Sequence, residues 1–236
     1  MRASQVKSKI MVNKERASLD EAVADIPDGA TIHVGGFGGV GIPVDLCDAL
    51  YRQGAKDLTI VNNGVASGKI GLAGLIGGGR VRKIICSFPR TPDPEVFEKR
   101  YRAGQIELEL VPQGTLAERI RAAGAGIGAF YTPTSVGTPL ADGKEIRVLQ
   151  GREMVMEHPL HADFALVKAY KADRWGNLTY HKSARNFGPI MCMAAKTTIV
   201  QVNEIVPLGA MDPETIVTPS IFVDRVVSVP NPTKEM

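Results

Sequence analysis

Short apolar stretches recur along the first half of the chain, each closed by a turn and followed by a segment of helical period. Thr31-Ile32-His33-Val34 runs into "GGFGGVG", Leu58-Thr59-Ile60-Val61 into "NNG", and residues 81–86 into "SFPR". Short, unbroken apolar runs are what a parallel sheet covered on both faces asks of its strands. Between them the pattern predicts helices over 19–26, from Pro43 to near Gly54, and over 71–76, 94–104 and 115–123, with a further strand at 107–111. Ser18 with Glu21, and Thr115 with Glu118, have capping-box spacing. Pro43 suits a first helical turn, where a missing N–H is no loss, and Leu46, Ala49 and Leu50 mark one buried face of that helix.

The second half changes character. Residues 130–162 read as loop and short strands, with turns at "ADGK" and "LQGRE". Strands are expected at 164–169, 178–180, 197–202 and 222–229, and a short helix at 189–195. No repeat and no linker divides the chain. The expected fold class is α/β: a single domain over 14–229, with a mostly parallel sheet flanked by helices. Residues 1–13 read as an N-terminal extension starting at Met1 or Met11, and residues 230–236 as a polar C-terminal tail.

Composition narrows the function classes. An apolar share of 44% over 236 residues supports a full globular core. The net charge of +3 is small and its basic residues are interleaved with acidic ones, so nucleic acid is not the expected partner. Such a balance still favours an anionic small molecule. Cys47, Cys86 and Cys192 lie far apart, with no CxxC pair; they read as buried apolar residues in a reducing, cytoplasmic setting. No His/Cys cluster has metal-ligand spacing, so no metal is expected. No apolar run approaches the roughly 18 residues of a membrane span, and no membrane association is expected.

Gly36-Phe37-Gly38-Gly39-Val40-Gly41 is a literal G-x-G-x-x-G. A dinucleotide site also needs an acidic residue at the end of the following strand, and here that strand ends in Asn62-Asn63; Asp57 precedes it. The helix starts after the motif, at Ile42-Pro43, which weakens the case for a pyrophosphate on its N-terminus. A nicotinamide oxidoreductase is therefore the distant alternative. A plain turn explains some of these glycines; a backbone that must be approached closely explains more.

"DGATIHVGGFGGVGIP" resembles the first signature of the family I coenzyme A transferases, in the chain called A or alpha. "DLTIVNNGV" (57–65), "ELELVPQGTLAERIRAAGAGIGAFYTPTSVGT" (107–138) and "GNLTYHKSARNFGPIMCMAAKT" (176–197) resemble further blocks of the same chain type, in order. "CSFPR" (86–90), "PLHADFALVKA" (159–169) and "DRWGNLTY" (173–180) resemble the branch directed at 3-oxoadipate more than those directed at acetoacetate or short-chain acids.

The resemblance implies ping-pong transfer of CoA from succinyl-CoA to a 3-oxo acid, within the breakdown of aromatic compounds. The nucleophilic glutamate of the family lies in a Ser-Glu-Asn-Gly-type motif of the B subunit; no glutamate here stands in such a motif. No catalytic nucleophile is therefore expected in this chain. A B subunit is the expected partner, in a heterodimer or a doubled α2β2 form. Coenzyme A esters are substrates, and no permanently bound cofactor is implied. By the same resemblance Asn62, Asn63 and Gln113 face substrate, where neutral amides can bind an acyl oxygen or a carboxylate. Gly35, Gly36, Phe37, Gly38 and Gly41 form an active-site loop, with Phe37 excluding water from a hydrolysable anhydride. A distal carboxylate calls for a cation, and Arg90 and Arg185 are the candidates. Lys182, Arg185 and Asn186 form a cluster without a derived role, and His161 reads as structural before catalytic.

Overall fold

The protein is seen as a computed structural model that describes residues 12–91 and 95–233. Its first half alternates as the apolar pattern requires: α1 (Leu19–Val23), β1 (Thr31–Val34), α2 (Val44–Gln53), β2 (Leu58–Val61), α3 (Gly71–Gly77), β3 (Val81–Cys86), α4 (Glu98–Arg102), β4 (Glu107–Leu110) and α5 (Gln113–Ala125). The second half adds β5 (Phe130–Thr132), β6 (Ile146–Leu149), β7 (Arg152–Glu157), β8 (Ala162–Asp173), β9 (Leu178–Thr179), α6 (Gly188–Ala194), β10 (Ala195–Val206) and β11 (Arg225–Ser228). The main sheet has the order β11-β10-β8-β1-β2-β3-β4, with every neighbouring pair parallel; β9 adds antiparallel to the far end of β8. β5, β7 and β6 form a separate antiparallel sheet. The expected mostly parallel α/β sheet is the one observed.

Alternation along the strands divides the core. Ile32, Ile60 and Ile84 meet α1, α2 and α3 through Ala22, Leu46, Leu50 and Leu75. Val61, Ile85, Ala165 and Val200 meet α5 and α6 through Leu116, Ile120 and Met191. Each fully buried Leu or Ile contributes roughly 1.5–3 kcal/mol. No helix among the described residues is long and apolar enough to cross a membrane.

Several boundaries differ from the sequence pattern, for physical reasons. α1 ends at Val23 because Pro27 excludes helical backbone from the residue before it. Its cap forms as expected: Ser18 Oγ accepts the Glu21 N–H at 3.1 Å, and Glu21 accepts the Ala17 N–H at 2.9 Å. Thr115 does not cap α5. That helix starts two residues earlier after Pro112, leaving Thr115 buried in its first turn, and Glu118 pairs instead with Arg121 at 2.8 Å. α5 also runs through Gly124, where a Cβ would sit 2.6 Å from the Met193 side chain, so the glycine lets α5 lie against α6. β8 and β10 outrun their apolar cores because polar pairs continue the ladder, as in Lys171–Glu204 at 2.9 Å. The expected strand over 222–229 is shortened to β11 by a 3-10 turn at Ser220–Phe222.

The expected helix start at Pro94 falls outside the described residues, as does the N-terminal extension apart from Val12 and Asn13. Thr233 of the C-terminal tail bonds Asp45 at the head of α2, with Oγ 2.6 Å from the carboxylate.

His33 sits fully buried on β1, between Val61 and Ala165, with neither ring nitrogen at hydrogen-bonding geometry to another described residue. Burial lowers its pKa from 6.5 to about 4, with a smaller push from His161; the nearby backbone of Met191 and Leu160, short of hydrogen-bonding geometry, only partly opposes this. Over that window an unfolded chain takes up a proton that the folded chain refuses, so stability falls as pH falls. Urea denaturation should show about 3 kcal/mol lost on this account between pH 7 and pH 4. His33→Leu should flatten that limb; an equally steep limb in the variant would assign it to other groups.

Candidate active site

The C-terminal ends of β1, β2, β3 and β4 feed four loops that enclose a cleft of about 680 Å³. This is the sheet edge at which open α/β folds bind ligands.

The first loop carries the glycines. Gly35 prolongs the pairing of β1 by donating to Leu166 O at 2.9 Å. Phe37 and Val40 then exchange backbone hydrogen bonds of 3.0 and 3.1 Å around Gly38-Gly39, a tight turn that leaves Phe37 46% exposed at the cleft. Two glycines are demanded by crowding. Gly36 has φ +115°, and a Cβ there would lie 2.3 Å from Ile42 Cδ1; Gly41 has φ +81°, and its Cβ would lie 2.6 Å from Ala184 O. Much of the glycine content thus serves the packing of the chain upon itself. At the head of α2, Gln201 Oε1 accepts the Leu46 N–H at 3.0 Å, while Asp45 accepts from Gln201 Nε2 at 2.8 Å. That helix end is occupied by the protein's own groups and carries an acid, which counts against the dinucleotide alternative.

The second loop is Asn62-Asn63-Gly64, and its two amides differ in use. Asn62 is buried and engaged by backbone on both sides. Its Nδ2 donates to Val34 O at 2.7 Å and Gly35 O at 3.4 Å, and its Oδ1 accepts the Gly64 N–H at 2.9 Å. Asn62 therefore ties the glycine loop to the end of β2. Asn63 is a junction. Its Oδ1 accepts from Ser87 Oγ at 2.8 Å and from Gln113 Nε2 at 2.9 Å. Its backbone carbonyl also takes the N–H groups of Ser87 and Phe88, each at 3.1 Å. Among the described residues, Asn63 Nδ2 and Gln113 Oε1 have no partner, although Asn63 is only 5% exposed.

Ser87 was not singled out by sequence reasoning. The signal was its place directly after β3, equivalent to that of Asn62 after β2. Gln113 opens α5 after the Pro112 turn, which sets its side chain over the cleft.

The cleft is nearly neutral. Arg90, in the loop after β3, is the one formal charge among the described lining residues, and no carboxylate is among them. Glu107 pairs with Arg82 at 2.9 Å, and Glu109 with Lys83 at 2.7 Å and Arg119 at 2.9 Å. Partial burial opposes ionisation of Glu109, but Lys83 and Arg119 together outweigh it and hold the carboxyl below its ordinary range. Cys47, Cys86 and Cys192 are buried and form no disulfide; burial pushes the Cys86 thiol up to about 12, so it offers no thiolate. Among the described residues no three His, Cys, Asp or Glu side chains gather as a metal site requires.

Arg185 stands elsewhere. With Lys182 and Asn186 it lines a second hollow of about 590 Å³. Asn186 Nδ2 donates to Val40 O at 2.9 Å, so this segment supports the glycine loop from outside the cleft. His161 immediately precedes β8, at the sheet edge opposite the cleft.

Comparison with known proteins agrees with this architecture. The family profile described as coenzyme A transferase matches residues 16–229. The chain belongs to the coenzyme A transferase family. The A subunit of the 3-oxoadipate CoA-transferase of Pseudomonas putida is 63% identical over 219 residues, covering 93% of this chain and 95% of that one. The A subunit of the succinyl-CoA:3-ketoacid coenzyme A transferase of Helicobacter pylori is 46% identical, covering 91% and 92%. The crystal structure of glutaconate coenzyme A-transferase from Acidaminococcus fermentans superposes with TM-score 0.83 over 92% of this chain and 76% of that one; at 24% identity it speaks for the fold.

In this coenzyme A transferase chain, Asn62 braces the glycine loop, while Asn63 joins Ser87 to Gln113. Asn62→Ala strands a buried carbonyl and the Gly64 N–H, and should lower unfolding free energy by about 1–3 kcal/mol in chemical denaturation. A change below about 0.5 kcal/mol would remove the brace from this description.

Proposed function

We propose that this chain is the A subunit of a heteromeric enzyme that moves CoA from succinyl-CoA to a 3-oxo acid, with 3-oxoadipate as the preferred acceptor. The carrying observation is a cleft that offers neutral donors and one cation but no carboxylate nucleophile among its described lining residues. The likeness to the Pseudomonas putida protein supports the choice of acid. The Helicobacter pylori relative is named only for a 3-ketoacid; acetoacetate, the alternative acceptor, is such an acid, but its methyl end gives Arg90 nothing to bind.

In this reading a glutamate supplied by the B subunit carries out the first attack, on the succinyl thioester, giving a mixed anhydride and CoA thiolate. The thiolate attacks the glutamyl carbonyl, releasing succinate and leaving a glutamyl–CoA thioester. The acceptor carboxylate attacks that thioester, and the released thiolate then takes the acceptor's acyl group and frees the glutamate. Splitting the exchange this way replaces one difficult step with easier ones. Each attack builds a tetrahedral oxyanion, and Asn63 Nδ2 is the donor set to meet it. Gln113 orients Asn63 and closes the cleft wall, and Phe37 limits water at the anhydride. The chemistry uses coenzyme A esters as substrates and no resident cofactor. The assembly is an αβ heterodimer or its α2β2 double, working in the cytoplasm.

The test is exchange between succinyl-CoA and 3-oxoadipate, followed through the magnesium complex of the 3-oxoacyl-CoA. Activity is expected when this chain is co-expressed with its B subunit, while either chain by itself should be inactive. Turnover by this chain without a partner would overturn the division of labour. Gln113→Ala should lower kcat of the heteromer about 10- to 100-fold, because one amide then hangs from a loosened junction. An unchanged kcat would dismiss Gln113 from the site.

A further inference from the structure

Arg90 is exposed at the cleft and enters no salt bridge or hydrogen bond with another described residue. It stands on the ridge between the cleft and a smaller hollow, whose acid, Glu98, is paired with Arg102 at 3.0 Å. Around it the cleft presents Phe37, Val65 and Phe88, with the Asn63–Gln113 amides beyond. An Arg without an acid partner among the described residues, set among described lining residues that are otherwise neutral and partly apolar, is a receptor for a planar anion: its fork of N–H donors matches a carboxylate in bidentate geometry.

We infer that Arg90 selects the acyl group by pairing with a carboxylate at the end remote from the thioester, so that the site takes dicarboxylic acyl chains. The inference rests on the CoA-transfer reading above. In a ping-pong scheme the donor and acceptor acyl groups occupy one site in turn. Succinyl and 3-oxoadipyl groups both end in a carboxylate, at different distances from the reacting carbonyl. Arg90 can serve both because its side chain is long and its backbone sits on a loop rather than in a strand. A monocarboxylic 3-oxo acid such as acetoacetate brings a methyl group to the same place and leaves the guanidinium without its partner. Rejection then follows from the missing contact, with no need for a steric block.

The experiment uses the heteromer with its B subunit, in wild-type, Arg90→Ala and Arg90→Lys forms. The readout is the ratio of kcat/KM for 3-oxoadipate to that for acetoacetate. For an acceptor in a ping-pong reaction this parameter reports the second half-reaction, so weakened contact with the succinyl donor does not enter. Loss of a charge-assisted pair should collapse the ratio about 10- to 100-fold in Arg90→Ala. Arg90→Lys, which keeps the charge but not the fork, should fall between wild type and Ala. Co-purification with the B subunit shows that each variant is folded. A ratio unchanged in Arg90→Ala, or equal losses for both acceptors, would overturn the inference while leaving CoA transfer intact. A wild-type heteromer that cannot use 3-oxoadipate would overturn the acceptor reading, and Arg90's role with it.

Discussion

A single carbonyl oxygen, Asn63 Oδ1, accepts hydrogen bonds from Ser87 after β3 and from Gln113 at the head of α5, while Asn63 itself lies in the loop just after β2. Three neighbouring chain ends are thereby fixed against one another at the mouth of the sheet. Asn63 is buried there, and a hydrogen bond left unmade in such a place is costly. Asn62 adds the fourth end by gripping the backbone at Val34 and Gly35. These amide contacts and the parallel ladders beneath them hold together the loops that line the cleft.

The fold was legible because the sheet is parallel and doubly covered. Thr31–Val34, Leu58–Val61 and Val81–Cys86 carry their burial in their composition, and their bounds emerge as the apolar pattern set them. Where contacts lie far apart in sequence, the pattern is silent. Nothing local says that Gly124 must admit Met193, or that Gln201 would cap a helix 155 residues away. Thr115 misled because capping-box spacing is a local rule, and Pro112 had already turned the chain into the helix.

The site was legible in part. Asn62, Asn63 and Gln113, expected just after strands, line one cleft, and Arg90 lines it with them. Arg185 does not, since the segment after β9 supports the glycine loop from its other side. The division between Asn62 as brace and Asn63 as junction could not be read from two adjacent asparagines. Their side chains diverge only once the strand's pleat is in place. Ser87 stayed hidden because a serine after a strand is common, and its use depends on a neighbour 24 residues away.

In the proposed reading, a cleft with neutral donors and no carboxylate among its described lining residues is one half of a reaction centre, and that reading depends on which group Asn63 turns toward the substrate. The most direct measurement is the steady-state kcat of the heteromer carrying Asn63→Asp. An aspartate keeps an oxygen for Ser87 and Gln113 but deletes the Nδ2 donor. The account predicts a heteromer that still assembles, with kcat lowered on the order of 10²–10³-fold. An Asn63→Asp heteromer that turns over like the wild type would show that the developing oxyanion is held by some other group.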